Sequence, residues 1–136
     1  MSKPKNGSYL VTKGEALHQF WSSFGWTAID ENSAYDRGNA PDFPYITYSV
    51  STDSLDNTLD MNASLWDRST SWKAVSEKAE EIADYIVKMY PPSIKIDGGR
   101  LYIAKGRPFA QRMGDPDDDR IRRIYLNIQA EFLTAS

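Results

Sequence analysis

Residues 124–132 alternate strictly between apolar and polar side chains, and they form the longest strand pattern in the chain. One face carries Ile124, Leu126, Ile128, Ala130 and Phe132, and the other carries Tyr125, Asn127, Gln129 and Glu131. Successive side chains of a strand point to opposite faces of its sheet, so one face of this segment must pack on a core. We therefore expect a central or sheet-spanning strand here.

Five shorter segments are also expected to be strands. The tightest connection is Asp97-Gly98-Gly99-Arg100, because two glycines tolerate the positive φ of a hairpin turn. Residues 53–57 are expected to form a second hairpin loop, and residues 30–43, rich in Asn, Asp, Gly and Pro, a longer loop. The expected short strands are residues 26–29, 45–51, 59–65, 94–96 and 101–104.

Two helices are expected. Thr12 and Glu15 match a capping box, and Gly25 provides a residue that commonly ends a helix, which predicts a first helix over residues 13–24. A single apolar stripe predicts a second helix over residues 70–90, which Pro91-Pro92 ends. Its expected caps are Ser69, Thr70 or Ser71, and its stripe is Trp72, Val75, Ala79, Ile82, Ala83, Ile86 and Met89.

This order of elements predicts an α+β fold: a mostly antiparallel sheet with two helices packed on one face and a long loop before the last strand. A chain of 136 residues has the length of one domain. We expect a flexible N-terminal tail at residues 1–11, where Pro4 and Gly7 lie in a polar segment, and a single α+β domain at residues 12–136.

Composition narrows the function. The chain has no cysteine, which excludes disulfides, thiolate metal sites and cysteine nucleophiles, and we expect no cofactor. It has no apolar run long enough to span a membrane, so we expect a soluble, cytoplasmically made protein. A net charge of −3 argues against a surface built throughout to bind nucleic acid. Arg120, Arg122 and Arg123 are clustered, but the aspartates that precede them would cancel much of their field.

The expected long loop, residues 106–119, is the first place to look for function, because loops of this length are usually functional or disordered. It carries residue types that are favoured in protein interfaces, namely Arg107, Phe109, Gln111, Arg112 and Met113. An alternative of equal weight is that Phe109 and Met113 fold back onto the domain's own core.

The same segment holds an acidic cluster made of Asp115, Asp117, Asp118 and Asp119. It does not match a calcium loop, because the sixth position is Arg120 and the twelfth is Leu126. We expect no metal, and a cluster that faces solvent, a partner or a lumen. His18 is expected at the edge of the core, and the sequence offers no triad around it. An enzyme that uses carboxylates such as Asp117 and Glu131 is the alternative of a different class.

Four segments together resemble a known family: PYITYSVST, LWDRSTSW with the helix AEEIADYI, IKIDGGRLYIAKGRPFAQRMGDPDDD, and RRIYLNIQAEFL. They are similar to the tail terminator, or tail completion, proteins of siphophages of Gram-positive bacteria, sometimes labelled minor capsid proteins. The resemblance covers about residues 12–134 and rests on the order and texture of these segments.

The resemblance implies a virion structural protein without catalytic residues, assembled in the host cytoplasm and located at the head-tail joint. It implies a ring, typically of six copies, that caps the tail tube, ends its polymerisation and docks to a head-completion or stopper protein. DNA would pass through the lumen without specific binding. Free subunits are expected to be monomeric and to form the ring only at the tip of the tube. A head-completion or stopper neck protein is the nearest alternative.

Overall fold

The computed structural model describes residues 12–32, 39–52 and 58–134. Within them lie two helices and six strands, and the α+β class is confirmed. The expected N-terminal tail at residues 1–11 and the hairpin loop at 53–57 lie outside the described residues. The elements are α1 (Lys13–Ser22), β1 (Thr27–Asp30), β2 (Tyr45–Thr52), β3 (Thr58–Arg68), α2 (Lys73–Lys88), β4 (Ser93–Ile96), β5 (Gly99–Met113) and β6 (Ile121–Thr134).

The strands form one curled sheet in the order β1-β2-β3-β6-β5-β4. The β1–β2 pair is parallel, and every other pair is antiparallel. The last strand, β6, lies between β3 and β5 and pairs with both along most of its length. Its strict alternation therefore predicted a central strand correctly.

The main core combines side chains of both helices with those of one sheet face. Trp21 of α1 and Ile82 of α2 are fully buried in the same cluster as Ile46, Leu65 and Leu126. The strand residues share a face because Ile46 pairs with Leu65, and Leu65 with Ile124, two positions from Leu126. Both helices therefore contribute buried side chains to the same core cluster as these strand residues.

The helix starts differ in how they are capped. The capping box of α1 forms as expected, with Thr12 Oγ1 accepting from the Glu15 amide at 3.1 Å and a Glu15 carboxylate oxygen accepting from the Thr12 amide at 3.2 Å. The second helix begins at Lys73, later than expected, with Trp72 at its N-cap and no side-chain cap. Instead, Ser69 Oγ accepts a hydrogen bond from the Ser71 amide, and Ser71 Oγ accepts one from the Lys73 amide. These two bonds stabilise the turns that precede the helix.

A smaller buried cluster lies on the opposite sheet face, which we call the second face. It is formed by Tyr45, Trp66 and Ile121, with Ala40 packed against it. The rings of Tyr45 and Trp66 stack with centroids 6.0 Å apart, and the Trp66 indole N–H donates to Thr47 Oγ1 at 2.9 Å. Both faces of the sheet therefore contain buried aromatic side chains.

The expected loop at residues 106–119 is wrong over most of its length. Residues 106–113 continue β5, and the connection to β6 is residues 114–120. The strand was hidden because its register shifts between Lys105 and Ala110, which breaks the two-residue alternation. Pairing with β6 stabilises this segment in spite of its glycine and proline.

Candidate interaction surface at the end of the β5–β6 hairpin

The predicted interface residues all lie at one end of the β5–β6 hairpin, residues 105–125, which we call the hairpin end. Gln111, Arg112 and Met113 are the last residues of β5 and are exposed, while Arg107 and Phe109 lie in the irregular stretch before them. These residues are therefore presented by a paired strand, whose backbone is more rigid than that of a free loop.

The irregular stretch is a β-bulge fixed by close packing. A Cβ on Gly106 would lie 2.8 Å from both the Cβ and the backbone oxygen of Asn127, so this position requires glycine. The Asn127 side-chain amide donates to the Pro108 carbonyl at 2.9 Å. These contacts seat the bulge on β6 and set the direction in which β5 continues.

Phe109 and Met113 are each expected either to contact a partner or to fold back onto the core, and the structure places them differently. Phe109 is half-buried and packs against the main core, and Lys105 Nζ lies 5.9 Å from its ring centroid. Met113 is 37% exposed at the end of β5. Phe109 thus belongs mainly to the domain's own packing, and Met113 remains a candidate contact residue.

One cross-strand row on the second face ends at Met113. Tyr45 of β2 pairs with Trp66, Trp66 pairs with Arg123, and Arg123 pairs with Met113. The Arg123 guanidinium carbon lies 4.7 Å from the Trp66 ring centroid and 5.8 Å from that of Tyr125, and its Nε donates to Ser64 Oγ at 3.0 Å. The rings hold the guanidinium in a fixed orientation.

A second arginine–tryptophan cluster lies on the helix side of the hairpin end. The guanidinium carbons of Arg112 and Arg122 lie 4.8 and 5.3 Å from the Trp72 ring centroid. Arg122 also donates from one terminal nitrogen to the Asp119 carbonyl at 3.0 Å, and its buried Nε makes no hydrogen bond in the described part of the chain. Arginines stacked on aromatic rings therefore lie on both faces of the β5–β6 pair. Arginine is a residue type that is enriched at protein interfaces.

The acidic cluster divides into turn-forming and exposed members. Asp115 Oδ1 accepts from the amides of Asp117 and Asp118 at 2.8 and 3.1 Å, as in the turns that aspartate commonly builds. Asp118 accepts from the Arg120 amide and from Arg68 Nε, both at 2.9 Å. Asp117 and Asp119 are exposed. Two of the four carboxylates thus hold the β5–β6 turn together.

We expect Asp118 to titrate below its ordinary value of 3.8, because hydrogen bonds from the Arg120 amide and the Arg68 side chain lower the pKa of its carboxyl group. Its ionised form stabilises the turn above that ordinary value, and the stabilisation is lost as the pH falls through the lowered pKa. Carboxyl chemical shifts followed by NMR during acid titration measure the midpoint. Arg68→Gln should raise the midpoint towards 3.8, and an unchanged midpoint would contradict the assigned cause.

The predicted carboxylate pair of an enzyme is not brought together. Asp117 precedes β6, which begins at Ile121, and Glu131 lies ten residues into that strand. At about 3.3 Å per residue, Glu131 lies about 33 Å from the start of the strand. Asp117 and Glu131 therefore do not share a site.

His18 contacts two hydroxyl groups. Its Nδ1 lies 3.3 Å from the Tyr48 hydroxyl, and its Nε2 lies 3.4 Å from Ser22 Oγ. Burial, and then the negative charge of Asp30, raise the pKa of Tyr48, so its hydroxyl stays protonated at neutral pH. Neither partner is a carboxylate, and the arrangement links α1 to β2 rather than forming a triad.

Sequence reasoning missed the tryptophans of both clusters. Trp66 follows the expected end of a strand, and the sequence pattern assigns Trp72 to the apolar stripe of the second helix. Their arginine partners come from residues about 40 to 60 positions away, and single-sequence periodicity carries no signal for such pairing. The clustering of Arg120, Arg122 and Arg123 was visible, but its aromatic partners were not.

No protein-family model matches this chain, and a search of curated proteins finds no significant match. In residues 12–32, 39–52 and 58–134, no cluster of His, Asp or Glu side chains is suited to hold a metal ion. Neither described helix combines the length and the apolar character needed to cross a bilayer.

Proposed function

We propose that this protein is a virion structural protein of a long-tailed phage, the tail terminator. It caps the tail tube as a ring of copies, typically six, ends the polymerisation of the major tail tube protein, and joins the tube to a head-completion or stopper protein. The proposal combines the resemblance of residues 12–134 with the character of the hairpin end.

The observation that carries the proposal is the group of exposed and half-buried contact residues on the hairpin end. Arg112 and Arg123 are held on tryptophan rings at 4.8 and 4.7 Å, and Met113 stands exposed beside them. Side chains that are already ordered lose less entropy when a partner binds. This arrangement favours recognition of a protein surface by complementarity.

The acidic turn fits the same role. The exposed carboxylates of Asp117 and Asp119 face solvent, a partner or the lumen. Carboxylates repel the phosphates of DNA, so a lumen lined with them lets DNA pass without being held. The net charge of −3 agrees with this lack of affinity for nucleic acid.

Infection by a phage that lacks this protein tests the function directly. We expect overlong tails and filled heads that remain unjoined, seen by negative-stain electron microscopy. Supplying the protein from a plasmid should restore joined particles. Normal particles formed without the protein would overturn the proposal. Rings bound to filled heads but absent from isolated tails would favour the alternative, a head-completion or stopper neck protein.

Complementation with variants tests the hairpin end. Met113→Asp should abolish the formation of joined particles, because it places a charge in the centre of the proposed contact. Leu133→Asp is the matched control: Leu133 is 44% exposed, against 37% for Met113, and lies near the opposite end of β6. Equal loss with both variants would point to a general defect in folding rather than to this surface.

A further inference from the structure

The outer side of β5 ends in an unpaired edge. β4 pairs with residues 99–102, and the Ile103 amide donates to the Pro92 carbonyl at 3.0 Å. In the described part of the chain, no strand pairs with the outer side of Ala110–Met113, which we call the β5 edge. All four of its residues are exposed. A strand edge of this kind offers free N–H and C=O groups to another strand.

A groove lies between the β5 edge and α2. Its volume is about 220 Å³, and its lining comes from α2 (Ser76, Ala79, Glu80), from β5 (Ala110, Gln111, Arg112) and from Ile124 of β6. The bulge and Pro108 interrupt the edge just before Ala110, so they confine a pairing strand to residues 110–113. The pairable stretch is therefore short.

The opposite edge of the sheet has a matching length. β1 consists of the four residues Thr27–Asp30 and pairs with β2 on one side. Among the described strands it is the terminal one, and we call its outer side the β1 edge. Among the described strands, the sheet thus has the four-residue β1 at one side and the four-residue β5 edge near the other.

We propose that the β1 edge of one copy adds to the β5 edge of the next copy, so that the sheets of the ring are joined head to tail. This inference rests on the proposed ring and specifies how its neighbours meet. Pairing of unlike edges is a heterologous contact, which closes into a ring or grows into a filament, whereas pairing of like edges would stop at a dimer.

Strand direction agrees with this contact. β1 runs parallel to β2, and the antiparallel pairs β2–β3, β3–β6 and β6–β5 make β1 antiparallel to β5. Copies that keep their strands in the same direction therefore bring the two edges together as an antiparallel pair. The pairing extends the pattern that already dominates the sheet.

The proposed pairing also keeps the side chains of β1 and β5 on matching faces of the joined sheet. Thr27 pairs with Tyr45, the first residue of the cross-strand row described above. That row continues across the sheet through Trp66 and Arg123 and ends at Met113. Pairing Thr27 of one copy with Met113 of the next keeps both side chains on the second face, and places Ala28 opposite Arg112 on the helix face. A shift of one residue would put every side chain on the wrong face.

Charge selects unlike edges over like ones. β5 carries four basic residues and no acidic one, whereas β1 and the residue after it end in Asp30 and Glu31. Antiparallel pairing from Thr27 at Met113 places Asp30 opposite Ala110 and Glu31 opposite Phe109. Glu31 is then diagonal to Arg107, two residues away, a separation that long side chains can span. Two β5 edges brought together would instead oppose like charges, which is unfavourable across strands.

Cysteine cross-linking tests the register, since the chain contains no cysteine of its own. Thr27→Cys with Met113→Cys in one chain should give an oxidised ladder longer than a dimer, in concentrated protein or in assembled particles. Met113→Cys with Val87→Cys is the matched control, because Val87 is exposed on α2. Dimers from Met113→Cys alone, or no ladder in either preparation, would overturn the proposal.

Charge reversal tests the complementarity. Glu31→Arg and Arg107→Glu, each added to the cysteine pair, should lower the yield of the ladder roughly tenfold, and the two together should restore it. Lys88→Glu, at the end of α2, serves as the control reversal. Failure of the double reversal to restore the ladder would overturn the assigned ion pairing and, with it, the proposed direction of the contact.

The two proposals fail separately. Overlong tails in the phage that lacks the protein, combined with no ladder, would keep the tail terminator function and reject the edge contact. A ladder combined with normal particles in that phage would keep the edge contact and reject the function.

Discussion

Trp66→Ala is expected to lower the free energy of unfolding by about 3–5 kcal/mol. Trp66 is 6% exposed on the second face of the sheet, where it stacks on Tyr45 and supports Arg123. Its removal leaves a cavity and also removes the indole N–H that donates to the buried Thr47 hydroxyl at 2.9 Å. The loss therefore combines packing with an unsatisfied buried polar group.

Urea unfolding followed by circular dichroism measures this change. Trp72→Ala is the matched control, because Trp72 is half-buried and stacks on two arginines at the protein surface. It should cost clearly less than Trp66→Ala. Equal losses, or a loss under about 1 kcal/mol for Trp66→Ala, would mean that the second face is not a stabilising core.

Local signals were sufficient for several elements. The capping box at Thr12 and Glu15 involves residues three positions apart, and both of its hydrogen bonds form. The alternation at residues 124–132 lies within one strand that is buried on one face, and β6 contains all of it. Periodicity within a single element and contacts between near neighbours in sequence are the features that one sequence displays directly.

Non-local pairing explains what the sequence did not predict. The second half of β5 is a strand because β6 pairs with it beyond a bulge, and the residues of the bulge are typical of loops. The candidate site was located through its residue types, Arg107, Arg112 and Met113. Its geometry depends on Trp66 and Trp72, which reach the arginines through sheet register and helix packing. Register between distant strands cannot be read from local composition.

Gly106→Ala is expected to lower the free energy of unfolding by about 1–3 kcal/mol, because overpacking forces backbone movement. The added Cβ would lie 2.8 Å from both the Cβ and the carbonyl oxygen of Asn127. The oxygen belongs to the backbone of the central strand, so no change of rotamer relieves the contact. β5 must therefore move away from β6 at the bulge.

This movement should also change the hairpin end. Displacement of the bulge weakens the hydrogen bond from the Asn127 side chain to the Pro108 carbonyl, now 2.9 Å, and shifts the strand that carries Arg112 and Met113. Joined particles should be lost in complementation even at temperatures where Gly106→Ala remains folded. Gly114→Ala is the matched control, since its added Cβ meets no atom within 4 Å. Full joining activity with Gly106→Ala would mean that the position of the hairpin end does not determine the contact.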